Sequence, residues 1–325
     1  MKPLEPAYQP GRFELRVLGT SSAVAAFGRH LSGQVLTYNQ RYFLIDCGEG
    51  TQFQLMRYRY RLRRLDAIFI SHLHGDHVLG LVGLLCTLSQ HSRTSPLPVY
   101  GPAGLAELVH SVLRLTHATL QFPLELHELG PDAAHQVIHQ LPGLEVVALP
   151  LEHRVPCFGY LFRELPRNPV FLVEKAHLHQ LPVEFFHLIK LGTDVRLPDG
   201  TTVVAADYLG PPPPPHSYAY CSDTRYHPPL AEWIRGVSLL YHEATFRQDL
   251  LWQASQTAHS TASQAAAIAA AADAGHLLLG HFSARYGDLS PLLDEARAAF
   301  ARCSVADEGR LYPIPFDAQA TPLLD

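Results

Sequence analysis

At 325 residues the chain can hold one large domain or two small ones, and a hydrophobic fraction of 47% is enough for a well-buried core. A net charge of −5 excludes a uniformly basic, nucleic-acid-coating surface, so an RNA partner needs a local basic patch. Five cysteines, an odd number without a CxxC pair, argue against a disulfide framework and for a reducing, cytoplasmic setting. No apolar run is long enough to span a membrane, and Met1-Lys2-Pro3-Leu4-Glu5-Pro6 lacks both regions of a secretory leader.

Residues 13–18 alternate in part and read as a strand ending at Gly19-Thr20-Ser21-Ser22. Runs 34–38 and 42–46 read as a hairpin around Asn39-Gln40-Arg41. A glycine turn, Asp46-Cys47-Gly48-Glu49-Gly50, leads into a helix through Met56. Run 67–70 is a buried strand, and 78–90 has helical spacing. Val99-Tyr100 is a short strand. The next helix is expected to start at Gly101-Pro102, with Leu105, Leu108, Val109, Val112 and Leu113 on one face. Strands return at 144–149 and 158–162. Residues 164–206 change character: Pro169, Pro182, Gly192 and Pro198 interrupt any long period, which reads as an insertion with a hairpin near Asp199-Gly200. Prolines 211–215 form a stiff connector. Strands at 218–221 and 237–241 follow. An alanine-rich helix is expected over 262–274, with a Thr261-x-x-Gln264 capping box and a Gly275 stop. A strand at 277–279 and a helix from Ser290-Pro291 come last. Cys47, Cys86, Cys157 and Cys221 read as small core residues. Among the 20 histidines, His110, His117, His127, His135, His139, His177, His179 and His187 read as surface residues.

Ser71-His72-Leu73-His74-Gly75-Asp76-His77 stands out. Three imidazoles and a carboxylate, directly after a buried strand, are the ligand types that zinc and similar divalent ions take. Three more ligand-type residues follow strand-like runs: His153 after 146–149, Asp223 after 218–221 and His281 after 277–280. Layered α/β folds collect their sites at one end of the strands. Asp46 is a candidate to orient a ligand imidazole. Five arginines and two tyrosines within 57–64 make a candidate RNA surface.

The HxHxDH pattern resembles the signature of the metallo-β-lactamase superfamily. Gly19-Thr20-Ser21-Ser22, Asp46-Cys47-Gly48-Glu49-Gly50, Cys221-Ser222-Asp223-Thr224, His242-Glu243-Ala244-Thr245, Ala258-His259-Ser260-Thr261 and Gly280-His281-Phe282-Ser283-Ala284-Arg285-Tyr286, in this order, are similar to the short form of the ribonuclease Z family over about residues 13–290. The resemblance implies an α/β (α+β) fold: the αβ/βα four-layer sandwich of two mixed sheets, with halves near 1–145 and 146–325 in a single domain over 1–325. It implies two divalent metal ions per subunit, Zn2+ foremost. His72, His74 and His153 would hold the first, Asp76, His77 and His281 the second, and Asp223 would bridge them. Two cations about 3.5–4 Å apart need a shared anion, and together they make water a nucleophile near neutral pH.

The implied activity is an endoribonuclease that removes 3′ trailers from tRNA precursors, leaving a 3′-OH on the tRNA and a 5′-phosphate on the trailer. Asp76 would double as a proton acceptor. His259 would protonate the leaving 3′-oxygen, with Glu243 holding its imidazole charged. Ser283 and Arg285 would contact phosphate. The insertion 164–206 takes the place of the family's flexible arm, which binds the tRNA elbow; in the family's homodimer, one subunit's arm holds the tRNA that the other cuts.

Two departures from the family pattern stand out. The arm sets Arg167, Lys175, Lys190 and Arg196 against Glu164, Glu174, Glu184, Asp194 and Asp199, and lacks the Gly-Pro pair before Leu188-Ile189-Lys190-Leu191-Gly192. The family's Pro-x-Lys-x-Arg-Asn loop reads Ala25-Ala26-Phe27-Gly28-Arg29-His30, leaving Arg29 as its one substrate contact. The metal ligands alone also suit a two-metal phosphodiesterase or arylsulfatase-type hydrolase of small substrates. The arm-like insertion and the His259–Glu243 pair favour RNA.

Overall fold

The first sheet grows from hairpins and then from helical crossovers. In the computed structural model, which describes residues 12–166 and 168–316, it begins with β1 (Phe13–Gly19), β2 (Gly33–Tyr38) and β3 (Arg41–Cys47). It continues through α1 (Thr51–Arg57), β4 (Leu65–Phe69), α2 (Gly75–Val78), α3 (Leu81–Gln90), β5 (Leu97–Pro102), α4 (Leu105–Leu115) and β6 (Leu124–Leu129). The second sheet starts with β7 (Val137–Leu141), β8 (Leu144–Leu151) and β9 (Cys157–Glu164). The insertion then contributes β10 (Val170–Phe171), α5 (Val173–Leu178), α6 (Phe186–Lys190), β11 (Val195–Arg196), β12 (Thr202–Val203) and β13 (Leu209–Gly210). The remainder is β14 (Ser217–Cys221), α7 (Leu230–Trp233), β15 (Leu239–Glu243), α8 (Leu251–Thr257), α9 (Ala262–Ala271), β16 (Leu277–Gly280), α10 (Ser290–Ala299), β17 (Cys303–Val305) and β18 (Leu311–Pro313). Residues 1–6, read above for a leader, and Arg167 lie outside the described residues.

The sheets are ordered β18-β1-β2-β3-β4-β5-β6 and β17-β16-β15-β14-β9-β8-β7. Pairs β1–β2 and β2–β3 are antiparallel. From β3 to β6, and from β14 to β17, neighbours are parallel and joined by helices. Parallel pairing aligns the carboxyl ends of the strands, so the turns after β14, β15 and β16 emerge side by side.

Helices α3 and α4 bury Leu84, Leu85, Leu88, Leu105 and Val109 against the first sheet. Helices α7, α9 and α10 bury Leu230, Ala265, Ala269 and Leu292 against the second. Between the sheets lies an aromatic layer. Phe69 meets Tyr160 and Phe162 at ring-centroid distances of 5.2 and 5.3 Å, and Phe43 meets Phe162 at 6.0 Å. Each such ring contributes roughly 2–3 kcal/mol on burial. Helix, sheet, sheet and helix thus stack as the four layers of the αβ/βα sandwich.

Local expectations needed revision where tertiary contacts overrode propensity. Helix α4 begins at Leu105, after Gly104 in the left-handed region (φ 98°). Gly101 and Pro102 instead extend β5 and pair with Glu128 and Leu129; sheet pairing outweighs proline's preference for a helix start. The Thr261–Gln264 capping box is formed, but α9 ends at Ala271, with Asp273 taking the left-handed turn (φ 48°). Gly275 is required by space, because a Cβ there would lie 2.4 Å from the Ser238 carbonyl oxygen. His139 is not a surface residue; it packs against Phe43, Phe69 and Tyr100. Cys86 is only partly buried, whereas Cys47, Cys157 and Cys221 are core.

The chain divides into two compact units, the second made of Gln140–Glu145 and Arg163–His216. That unit is wider than the expected 164–206 and has its own core of Ala176, Leu181, Ile189, Val195, Val203 and Tyr208. Its β11–β12 pair turns at Asp199-Gly200, with Gly200 at φ 89°. Among the described residues, no helix is long and apolar enough to cross a membrane.

Candidate metal centre

The structure brings His72, His74, Asp76, His77, His153, Asp223 and His281 into two adjoining groups. In the first, His74 Nδ1 lies 3.0 Å from His72 Nε2 and 3.3 Å from His153 Nε2. Asp223 Oδ2 is 3.5 Å from His72 Nε2 and 3.8 Å from His153 Nε2. In the second, His77 Nε2 and His281 Nε2 are 3.2 Å apart, and each is 3.5 Å from Asp76 Oδ2. Asp223 Oδ1 is 3.3 and 3.1 Å from the same two nitrogens. One carboxylate thus offers an oxygen to each group. A tetrahedral shell at the usual zinc–ligand distances has edges of about 3.3–3.6 Å, and these spacings, 3.0–3.8 Å, straddle that range.

The tautomers fit a cation as well. His153 Nδ1 donates to the Ala258 carbonyl at 2.9 Å and His77 Nδ1 to Asp46 Oδ2 at 2.7 Å. Two hydroxyls act as relays. Ser71 Oγ donates to Asp46 Oδ2 at 2.8 Å and accepts from His72 Nδ1 at 3.0 Å. Thr245 Oγ1 donates to Glu243 Oε2 at 2.6 Å and accepts from His281 Nδ1 at 2.9 Å. With those protons directed outward, the Nε2 lone pairs of all four rings converge inward, an arrangement that suits a cation. Burial lowers His72, His74 and His153, the last to about 4, which keeps them as neutral ligands. Burial also works against charge on His77, but Asp223 and Asp46 outweigh it and raise the ring well above its ordinary value. A cation at Nε2 would take the place of that proton.

Backbone geometry aims these groups. Asp46 and His281 both have φ 56°, and Ala23, whose amide donates to Asp76 Oδ2 at 2.7 Å, has φ 59°. Such left-handed residues cost about 1–2 kcal/mol each and cluster at functional sites. Gly48 is needed by close approach, since a Cβ there would lie 2.4 Å from the Asp76 carbonyl oxygen.

His259 stands beside the ligands, its Nδ1 2.9 Å from Glu243 Oε1 and 3.9 Å from Asp223 Oδ2. Glu243 is fully buried and also accepts from the Thr224 amide at 2.8 Å. Burial disfavours the imidazolium, yet Glu243 and Asp223 hold His259 up at about 9. A cavity of about 430 Å³ is lined by His74, Asp76, Asp223 and His259. A smaller one of about 210 Å³ is lined by His259, Phe246, Ser283 and Arg285.

Comparison with known proteins bears on what this site does. Ribonuclease Z of Bacteroides fragilis (strain YCH46) is 41% identical over 297 residues, covering 91% of this chain and 97% of that protein. Ribonuclease Z of Cytophaga hutchinsonii is 42% identical over 305 residues, covering 92% and 96%. The chain belongs to the ribonuclease Z family. The crystal structure of the short form of human tRNase Z superposes with a TM-score of 0.67 at 27% identity, covering 93% of this chain and all of that one. A family model described as anti-Pycsar protein Apyc1 matches residues 13–129.

In this ribonuclease Z family member, the other expected site residues fall in different places. Ser283 and Arg285 line the smaller cavity. Arg29 lines neither cavity; it donates to the Tyr286 carbonyl at 2.7 Å and lies over the Phe282 ring, which anchors its loop. In the arginine run, Tyr58 and Tyr60 are partly buried and the Arg16 guanidinium lies over each ring, which engages them within the fold. Sequence reasoning passed over Ser71, Thr245 and Arg154. The two hydroxyls sit beside ligands within motifs already noted, but their relay role needed the fold. Thr245→Val should lower metal affinity about 10–100-fold, the usual effect of losing an outer partner. Metal retained after dialysis against a chelator checks this, and Thr245→Ser should restore it.

Proposed function

We propose that this chain is a zinc-dependent endoribonuclease that removes 3′ trailers from tRNA precursors, leaving a 3′-OH on the tRNA and a 5′-phosphate on the trailer. The observation that carries this reading is the His259–Glu243 pair standing 3.9 Å from a carboxylate shared by two ligand groups. When bound, two divalent cations supply charge neutralisation at a phosphate and a nucleophilic water. His72, His74 and His153 would hold one, Asp76, His77 and His281 the other, and Asp223 both. Burial disfavours the Asp76 carboxylate, but protons on His281 and His77 hold it far below the carboxylate range, and bound cations would take over that role. That makes Asp76 a ligand first and a weak proton acceptor. His259 delivers its Nε2 proton to the departing 3′-oxygen, and Glu243 keeps the ring charged and aimed. Ser283 and Arg285 hold phosphate in the adjoining cavity.

The direct test is to incubate metal-loaded protein with a trailer-bearing tRNA precursor and map the ends. A single cut after the discriminator nucleotide is expected. No cut, together with turnover of a small phosphodiester, would favour the small-substrate hydrolase instead.

The second unit serves as the tRNA-docking arm, in a cytoplasmic homodimer whose mass light scattering would report. Its described cations are used within the unit. Lys175 Nζ donates to the Asp207 carbonyl at 2.7 Å, Lys190 lies over Phe171, and Arg196 donates to the Gly200 carbonyl. Docking therefore draws on its exposed apolar side chains, Leu178, Val183 and Leu191. The amide of Glu164 lies 2.9 Å from the His216 carbonyl, so a short Gly-Ser loop can replace 166–213. That replacement should raise KM for precursor tRNA at least about tenfold, or roughly 1.4 kcal/mol of binding, and spare bis(p-nitrophenyl) phosphate. Equal losses on both substrates would discredit the docking role.

A further inference from the structure

We propose that Arg154 binds the RNA backbone at the phosphate next to the one that is cut, and so fixes how the strand crosses the site. This rests on the nuclease reading above. Arg154 follows the ligand His153 in the turn between β8 and β9. It lines both cavities, and with Ser22, Ala23 and His259 it forms the boundary they share.

Its side chain is exposed and makes no hydrogen bond or ion pair among the described residues. The acid closest to it along the chain is already engaged, since Glu152 pairs with His227 at 2.9 Å and with Arg225 at 3.9 Å. The neighbouring cation Arg285, assigned to phosphate in the smaller cavity, also donates to Gln253 Oε1 at 2.9 Å, whereas Arg154 has no such partner among the described residues.

An uncommitted guanidinium at the seam of two adjoining cavities suits a polyanion longer than one phosphodiester. The two ligand groups adjoin through Asp223, and the scissile phosphate is assigned there. Arg154 belongs to the wall that the two cavities share, so a strand running from the larger into the smaller passes it. A guanidinium grips two non-bridging oxygens at once, which a lysine cannot do. The ligand class is therefore a nucleic-acid strand with at least two consecutive phosphates.

The test measures binding by fluorescence anisotropy on a His259→Ala background, which slows cleavage enough for binding to equilibrate first. The probe is a fluorescein-labelled single-stranded RNA of about twelve nucleotides, with the protein metal-loaded. Adding Arg154→Ala should weaken binding about tenfold near 0.1 M salt and reduce the slope of log affinity against log salt by about 0.7, the contribution of one phosphate contact on a single strand. Arg154→Lys should keep the slope and recover part of the affinity. In the cleaving protein, Arg154→Ala should act on KM more than on kcat. Unchanged affinity and slope would overturn the proposal, as would a fall in kcat at constant KM, which would tie Arg154 to His259 instead. Failure of the wild type to cut precursor tRNA would defeat the nuclease reading, while the anisotropy series would still judge Arg154.

Discussion

Replacing His259 by alanine should leave metal content intact and slow precursor tRNA cleavage by roughly 10²–10⁴-fold, the range a general acid contributes. The loss should shrink with a nitrophenolate leaving group, which departs without a proton. The pH profile carries the same information. In the proposed mechanism His259 acts in its protonated form, and Glu243 and Asp223 raise it to about 9 against the opposing effect of burial. Activity should therefore hold on the acid side of that value and fall as pH rises through it. Cations bound at Asp223 would offset part of the carboxylate charge and draw the limb downward. Glu243→Gln removes the leading raising influence, so its limb should fall further still. A limb unmoved in Glu243→Gln, or full activity in His259→Ala, would remove this pair from the mechanism.

Asp223→Ala should abolish activity by at least about a thousandfold, because cation stabilisation of charge is worth several kcal/mol and about 4 kcal/mol corresponds to that factor. Asp223 is fully buried and presents one oxygen to each ligand group. Its loss should empty both positions, leaving elemental analysis near zero metal per chain. His74→Ala touches only the first group and should leave about one ion. Two ions retained in Asp223→Ala would mean that the carboxylate is no bridge. If the imidazoles of these groups are the ligands, they must bind as neutral rings, and metal affinity in the wild type should also weaken as pH falls.

The strands, and the residues at their carboxyl ends, were legible because apolar runs and the polar residues that end them are local signals. His72, His153, Asp223 and His281 each follow such a run, so their convergence could be argued before the fold was seen. The hydroxyl relays could not. Ser71 matters through Asp46, which also accepts from Tyr220 Oη at 2.6 Å, and Tyr220 lies far along the chain. Nothing local marks Asp46 or His281 as left-handed; hydrogen bonds from distant segments impose that. Pro102 misled because its helix-start preference is real but weaker than pairing along β5. His139 misled because nothing in Val137-Ile138-His139-Gln140-Leu141 says which face of the strand meets the aromatic rings that cover it. The insertion's edges were blurred, since Gln140–Glu145 joins Arg163–His216 only in space.

The pairing of β1 with β18 sets Leu15 opposite Tyr312 and Arg16 opposite Leu311. A strand from the start of the described residues thus finishes its sheet with one from their end. Until synthesis has passed residue 313, the outer rim of β1 stays open to any passing extended peptide. His281 also arrives late, so a nascent polypeptide stalled at mid-length holds neither a closed rim nor a full ligand set.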